Sequence, residues 1–174
     1  MKLEIKRFVK RRRVTDYLLY SLVLMAGICL DMLSKHLTVV FFDNIGDTVP
    51  LINGVFHLTY STNDGCAFGM LDDVPYVFNT VSIIVILGMS LVLYLGHIEN
   101  RLSAIASAMI ISGGVGNMIE RIAYGEVTDF FDFRLINFAI FNVADSFVCV
   151  GAGLLILSLV LELINEEKGK GRTK

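Results

Sequence analysis

"VPYVFNTVSIIVILGMSLVLYLG", residues 74–96, runs for 23 residues without an acidic or basic side chain. Crossing about 30 Å of hydrocarbon takes roughly 20 apolar residues in a helix, so this stretch reads as a membrane span. Only "HIEN" and Arg101 separate it from "LSAIASAMIISGGVGNMI", residues 102–119, which is apolar and rich in small residues. The two form a tight helical hairpin. On the N-terminal side, "YLLYSLVLMAGICL" begins at Tyr17 and continues through "DMLSKHLTVVFF". On the C-terminal side an apolar segment runs from about Phe141 to Ile164, with no charge from Phe147 to Leu161. The expected fold class is an all-α membrane protein with four transmembrane helices.

Composition agrees. The 174 residues suffice for one domain, and 55% are hydrophobic while only 18% are charged. A soluble domain carries about 25% charge, and the mean hydropathy here is +0.66. The net charge of −2 says little because the charge is so unevenly distributed. Seven of the fifteen Lys and Arg residues fall in the first thirteen positions, four lie at 168–174, and one is Arg101. An excess of basic residues marks cytoplasmic segments. With an even number of spans, both termini are then expected in the cytoplasm. The implied organisation is a basic cytoplasmic N-terminus at 1–16, a four-helix transmembrane domain at 17–164 and a cytoplasmic tail at 165–174. Residues 43–73 and 120–140 are left on the opposite face. The N-terminus resembles a secretory signal, but Ile28 precedes Cys29 where a lipid-attachment cleavage box has a small residue, and three more spans follow. It is read as a retained first span.

The outer segment at about 43–73 includes "PLINGVFHLTYST", which alternates in part and is rich in β-branched and aromatic residues. One or two short strands with a turn at Asn53-Gly54 are expected there. "FFDFRLINFAIFN", residues 130–142, supplies a further extended candidate. A small extracytoplasmic β-rich segment therefore accompanies the helices.

Ionisable residues at membrane depth are costly and mark function by default. Asp31 and Lys35 stand four residues apart in the first span, where a helix lets them pair. Such a pair either orients the helix or supports a site. "STNDGCAFGM", residues 61–70, is a turn signal or part of a site, with Asn63 and Gly65 its candidates. In "SGGVGNMIER", residues 112–121, the three glycines either let helices pack closely or leave room for a substrate chain, and Asn117 and Arg121 follow them. Asn142 and Asp145 open the fourth span, and Asp129 and Asp132 alternate with aromatics just upstream. Under the four-span topology all of these fall near the outer membrane surface. Scattered helix-orienting charges would not share a level, whereas the parts of one site would.

Neither a Ser–His–Asp or Cys–His set nor a metal-ligand spacing is visible, and the three cysteines form no disulfide framework. What remains is carboxylates. Two carboxylates in a low-dielectric site do not both ionise readily, so one keeps a proton. One can then activate water while the other protonates a carbonyl oxygen. This is peptide hydrolysis of the aspartic type and requires no cofactor. The residues alone leave Asp132 open beside Asp129.

"DMLSK", "NDGCAF", "GGVGNMIER", "VTDFFDF" and "FNVADS", in order over about residues 17–164, resemble the motif set of the bacterial lipoprotein signal peptidases, signal peptidase II. The resemblance implies a multi-pass aspartic endopeptidase of the bacterial inner membrane, with its active site near the extracytoplasmic face. Its expected substrates are diacylglyceryl-modified prolipoproteins, cleaved just before the lipidated cysteine. Membrane lipid is the other expected partner, and no metal, cofactor or nucleic acid is expected. Carried over by motif, the catalytic pair falls on Asp129 and Asp145. Asn63, Gly65, Asn117, Arg121, Asn142 and Ala144 fall on supporting positions, and Asp31 and Lys35 on the polar pair of the first helix. Cys66 stands where the family commonly has alanine, and Glu120 where aspartate is usual. The alternative from a different class is a small polytopic transporter or channel, which would spread its charges through the membrane depth.

Overall fold

The structure, a computed structural model, describes residues 13–64, 75–96, 98 and 100–171. The expectations for Gly65, for Cys66 and for most of the basic N-terminal run lie outside the described residues. Among the described residues there are four α-helices: α1 (Val14–Phe41), α2 (Pro75–Tyr94), α3 (Arg101–Tyr124) and α4 (Val143–Gly171). By length and composition α1, α3 and α4 can cross a membrane, while the described apolar stretch of α2, Asn79–Tyr94, is shorter. The 20 residues of α2 still rise about 30 Å in all. The third helix continues to Tyr124, five residues past the apolar run, and stops where Gly125 takes a left-handed conformation at φ +85°. The fourth continues to Gly171, past the expected end of the span at 164.

The central helix is α3, which packs against each of the other three. Its sequence explains why. Ser103, Ala104, Ala106, Ser107, Ala108, Ser112, Gly113 and Gly116 are all buried, and such small residues let backbones approach closely in lipid. A side chain at Gly113 would strike the backbone of Ala144 in α4. One at Gly116 would place its Cβ 2.6 Å from Oδ2 of Asp31 in α1. The serines add hydrogen bonds between helices: Ser112 donates to the Leu24 carbonyl at 2.9 Å, and Ser103 to Ser158 at 2.8 Å. At the end bearing the α2–α3 connection, Tyr20, Leu93, Ala104, Ala108 and Ile111 form an apolar core. The outward faces of α1 and α4 expose leucines, valines and isoleucines along their length, as lipid-facing surfaces do.

At the opposite end sits a three-stranded antiparallel sheet in the order β1 (Thr48–Ile52), β2 (Phe56–Asn63), β3 (Val127–Asp132). The expected hairpin is present, and Gly54 takes φ +71° at its turn. The third strand uses only Phe130–Asp132 of the extended candidate at 130–142. The chain then makes a short 3-10 turn at Arg134–Ile136 and comes back, so that Phe141 bridges to Phe131. The Phe131 amide donates to the Phe141 carbonyl at 2.7 Å, and the Phe141 amide to the Phe131 carbonyl at 3.1 Å. This return brings the start of α4 beside β3.

Candidate active site

The residue before α4 is Asn142, fully buried. Its side-chain oxygen accepts the Asp145 backbone N–H at 2.9 Å, and its own N–H donates to Oδ2 of Asp145 at 3.1 Å. The two residues form a reciprocal cap, satisfying donors that a helix start leaves unpaired. The Ala144 N–H in the same turn is satisfied from another helix, donating to Oδ1 of Asp31 at 2.8 Å. A carboxylate at the mouth of an apolar span is therefore partly a cap.

The cap also reaches β3. The side-chain amide of Asn142 donates to Oδ1 of Asp129 at 2.7 Å, to Oδ1 of Asn117 at 3.0 Å and to the Thr128 carbonyl at 3.3 Å. Asn117, from α3, donates in turn to Oδ1 of Asp145 at 2.7 Å. Lys35 fixes which way the Asn117 amide points, because its ammonium donates to Oδ1 of Asn117 at 2.8 Å. Lys35 is only 2% exposed. It is balanced by Asp31 at 2.8 Å and by Glu120 at 3.1 Å. Asn63, at the end of β2, hydrogen-bonds to the Asp129 side chain. Asp31, Lys35, Asn63, Asn117, Asp129, Asn142, Ala144 and Asp145 thus meet in one network.

Asp129 is 4% exposed. Burial above all, and then the neighbouring charge of Asp145, push its carboxyl up to about 7. The hydrogen bonds from Asn142 and Asn63 and the charge of Lys35 oppose that rise without cancelling it. A carboxyl so placed holds or releases a proton near neutrality, as an acid–base group must.

Asp132 is set apart. Three residues beyond Asp129 in an alternating strand, it faces the other side of the sheet. Its Oδ2 accepts from Thr59 at 2.7 Å and from Arg134 at 2.8 Å. Burial works to raise its carboxyl, but Thr59, Arg134 and His57 together hold it below the ordinary range. His57 itself accepts the Gly54 N–H at Nε2 over 3.2 Å and pins the hairpin turn.

A cavity of about 640 Å³ opens between α2, α3 and α4. Its polar end holds Asn63, Asn117, Arg121, Asp129 and Asp145. Its apolar end is lined by Val81, Val85, Ile86, Ile110, Val148 and Cys149, and residues 138–141 border it. Of the three glycines in α3 only Gly114 lines the cavity, while Gly113 and Gly116 serve helix contact.

Two residues in the network escaped the site expected from sequence, Glu120 and Thr128. From sequence Glu120 stood as a departure from the family's usual aspartate; its Oε2 accepts the Thr128 N–H at 2.9 Å and its Oε1 the Thr128 hydroxyl at 3.0 Å.

Comparison with known proteins places this geometry in context. Residues 23–161 match the family model described as signal peptidase (SPase) II. A lipoprotein signal peptidase of Microcystis aeruginosa is 42% identical over 139 residues, which cover 80% of this chain and 90% of that protein. One from Brevibacillus brevis is 40% identical over 144 residues, 82% of this chain and 95% of the other. Among solved structures, a bacterial membrane enzyme superposes with a TM-score of 0.75 at 28% identity, covering 84% of this chain and 90% of its own.

Proposed function

Since the chain belongs to the signal peptidase II family, a family of membrane proteases that process lipoproteins, we propose that it cuts prolipoproteins by aspartic catalysis at Asp129 and Asp145. The observation that carries this reading is the single residue Asn142, bonded to both carboxylates at the polar end of the cavity. With its carboxyl raised to about 7, Asp129 supplies the proton of the pair. Asp145, held by Asn117 and by its own helix cap, accepts a proton from water. The resulting hydroxide oxygen adds to the scissile carbonyl carbon, and the Asp129 proton passes to the carbonyl oxygen. Collapse of the tetrahedral species breaks the C–N bond: the leaving amine takes up the proton held by Asp145, and a hydroxyl proton of the new carboxyl group returns to Asp129.

The substrate class follows from the cavity and the family together. The polar end fits a peptide and the apolar end fits acyl chains, so a diacylglyceryl-cysteine can present its preceding peptide bond to the pair while its lipid stays in hydrocarbon. Each buried methylene contributes roughly 0.8 kcal/mol, which makes the lipid a strong positioning handle. The proposed orientation has both termini in the cytoplasm, residues 17–164 as the catalytic domain and the site near the extracytoplasmic face. It rests on twelve of fifteen basic residues falling on one side. A transporter or channel gains no support, since the described polar side chains of the site gather at one end of the bundle.

The deciding experiment is turnover of a synthetic diacylated precursor peptide by the purified protein in detergent, with Asp129→Asn and Asp145→Asn beside the parent. Loss of cleavage in both, with folding intact, supports the aspartic reading. Near-parental cleavage by both variants overturns it.

A further inference from the structure

Glu120 lies near the outer end of α3, one turn before Gly125 ends the helix and the chain reverses into β3. Its two oxygens take the two donors of Thr128, the residue before Asp129, at 2.9 and 3.0 Å. Oε2 also lies 3.1 Å from the ammonium of Lys35, whose other partners are Asp31 and Asn117. The Thr128 carbonyl accepts from Asn142, the same amide that holds Asp129. One carboxylate therefore grips the peptide unit beside Asp129 and helps to neutralise the only ammonium in the described network. We propose that Glu120 is a positioning residue, which fixes the start of β3 so that Asp129 meets Asp145 and balances the charge that Lys35 brings to the site.

This inference rests on the aspartic reading above and adds to it a separable pair of duties. The charged groups around the site are Asp31 and Lys35 from α1, Glu120 and Arg121 from α3, and Asp145 from α4; of these, Asp145 raises the Asp129 carboxyl. Lys35 acts on Asp129 to favour its ionised form. Glu120 pairs with Lys35 at 3.1 Å and so counters part of its charge. Replacing Glu120 by glutamine keeps the shape of the grip, because the amide can accept the Thr128 N–H and donate to its hydroxyl, but removes the charge. Lys35 is then less balanced, and Asp129 gives up its proton more readily. Replacing Thr128 by valine does the reverse: it removes half the grip and leaves the charge.

The test uses the purified full chain in detergent and a synthetic diacylated precursor peptide, with kcat and KM followed across pH. Glu120→Gln should keep kcat within about threefold at its optimum, and the basic limb of kcat/KM should move down by about half a pH unit. Thr128→Val should lower kcat about tenfold with KM held and the basic limb unmoved. A merely structural Glu120 would not separate these two signatures. Parental kcat and an unmoved limb in both variants would overturn the proposal. If Glu120→Gln fails to fold, Thr128→Val decides alone: a kcat loss at constant KM supports the grip, and parental kcat removes it. Asp129→Asn run in parallel separates the two levels. An active Asp129→Asn defeats the aspartic reading itself, whereas an inactive one beside an unmoved Glu120→Gln profile defeats only this inference.

Discussion

Asn142 donates from its side-chain amide to Oδ1 of Asp129 across 2.7 Å, from the position that also caps α4. The start of a membrane helix and the carboxyl of a sheet strand are thereby tied through one buried residue. A defect in the cap is a defect in the site.

That tie makes the carboxylates unequal in consequence. Asp129→Asn and Asp145→Asn should each lower turnover at least about a thousandfold while membrane insertion persists. Asp132→Asn should retain activity within about tenfold, because Asp132 serves Thr59 and Arg134 on the other face of the sheet. Single-turnover cleavage of a diacylated peptide by the three variants measures this. A dead Asp132→Asn beside an active Asp129→Asn would reassign the pair.

The pH dependence has a defined sign. Asp129 has its folded-state value raised from 3.8 to about 7. In the proposed mechanism the protonated form is the one used, so kcat/KM should fall as pH rises through about 7. Stability follows the same group. Its contribution is fully present below about pH 4 and is lost as pH rises through about 7. Asp129→Asn should therefore melt higher than the parent at pH 8, with the difference shrinking toward pH 5. Equal melting temperatures at both pH values would contradict the burial of a titrating carboxyl.

Breaking the buried ion pair on one side should cost more than removing it whole. Lys35→Met leaves Asp31 and Glu120 without their cation, a loss of about 3–5 kcal/mol for an uncompensated buried charge. The double variant Asp31→Asn/Lys35→Met should recover part of that loss. Unfolding in mixed micelles by a denaturant series is the measurement, and a double variant less stable than Lys35→Met would refute the account.

Two glycines offer a steric control. Gly116→Ala drives a methyl into Asp31, while Gly153→Ala meets open space. The first should lose about 1–3 kcal/mol together with most activity, because Asp31 holds the first turn of α4. The second should change neither. Thermal unfolding with a cleavage assay separates them.

Orientation has its own test. After replacement of the native cysteines, a probe cysteine at position 47 should react with an impermeant thiol reagent from the extracytoplasmic side. Labelling only from the cytoplasmic side would invert the proposed topology and the level of the site with it.

Hydropathy made the helices legible, since an uncharged run of 23 residues leaves few alternatives. Most of the site was legible for the opposite reason, as Asp31, Lys35, Asn117 and Asp145 stand out against apolar surroundings. Asp129 and Asp132 could not be separated from the residues alone. Their faces depend on how β3 pairs with β2, and the partners that claim Asp132, Thr59 and Arg134, meet only through that pairing. The contacts of Glu120 were not legible because they need α3 to run on to Tyr124 and the chain to reverse at Gly125. The cap at Asn142 and Asp145 had a visible signal, a polar residue three positions before a carboxylate at the head of an apolar run.

The spacing of Asp31 and Lys35 bears on how the protein is made. The first helix leaves the ribosome before α3 and α4 exist, and an isolated ammonium or carboxylate would resist entry into lipid. Four residues apart on one helical face and 2.8 Å from each other, they form their own counterions. The nascent first span can therefore partition as an electrically neutral segment and wait in the bilayer. In the folded chain the same two side chains keep this bond and add Asn117, Glu120 and the Ala144 amide as partners. Insertion and assembly of the site thus become consecutive steps that use one pair of residues.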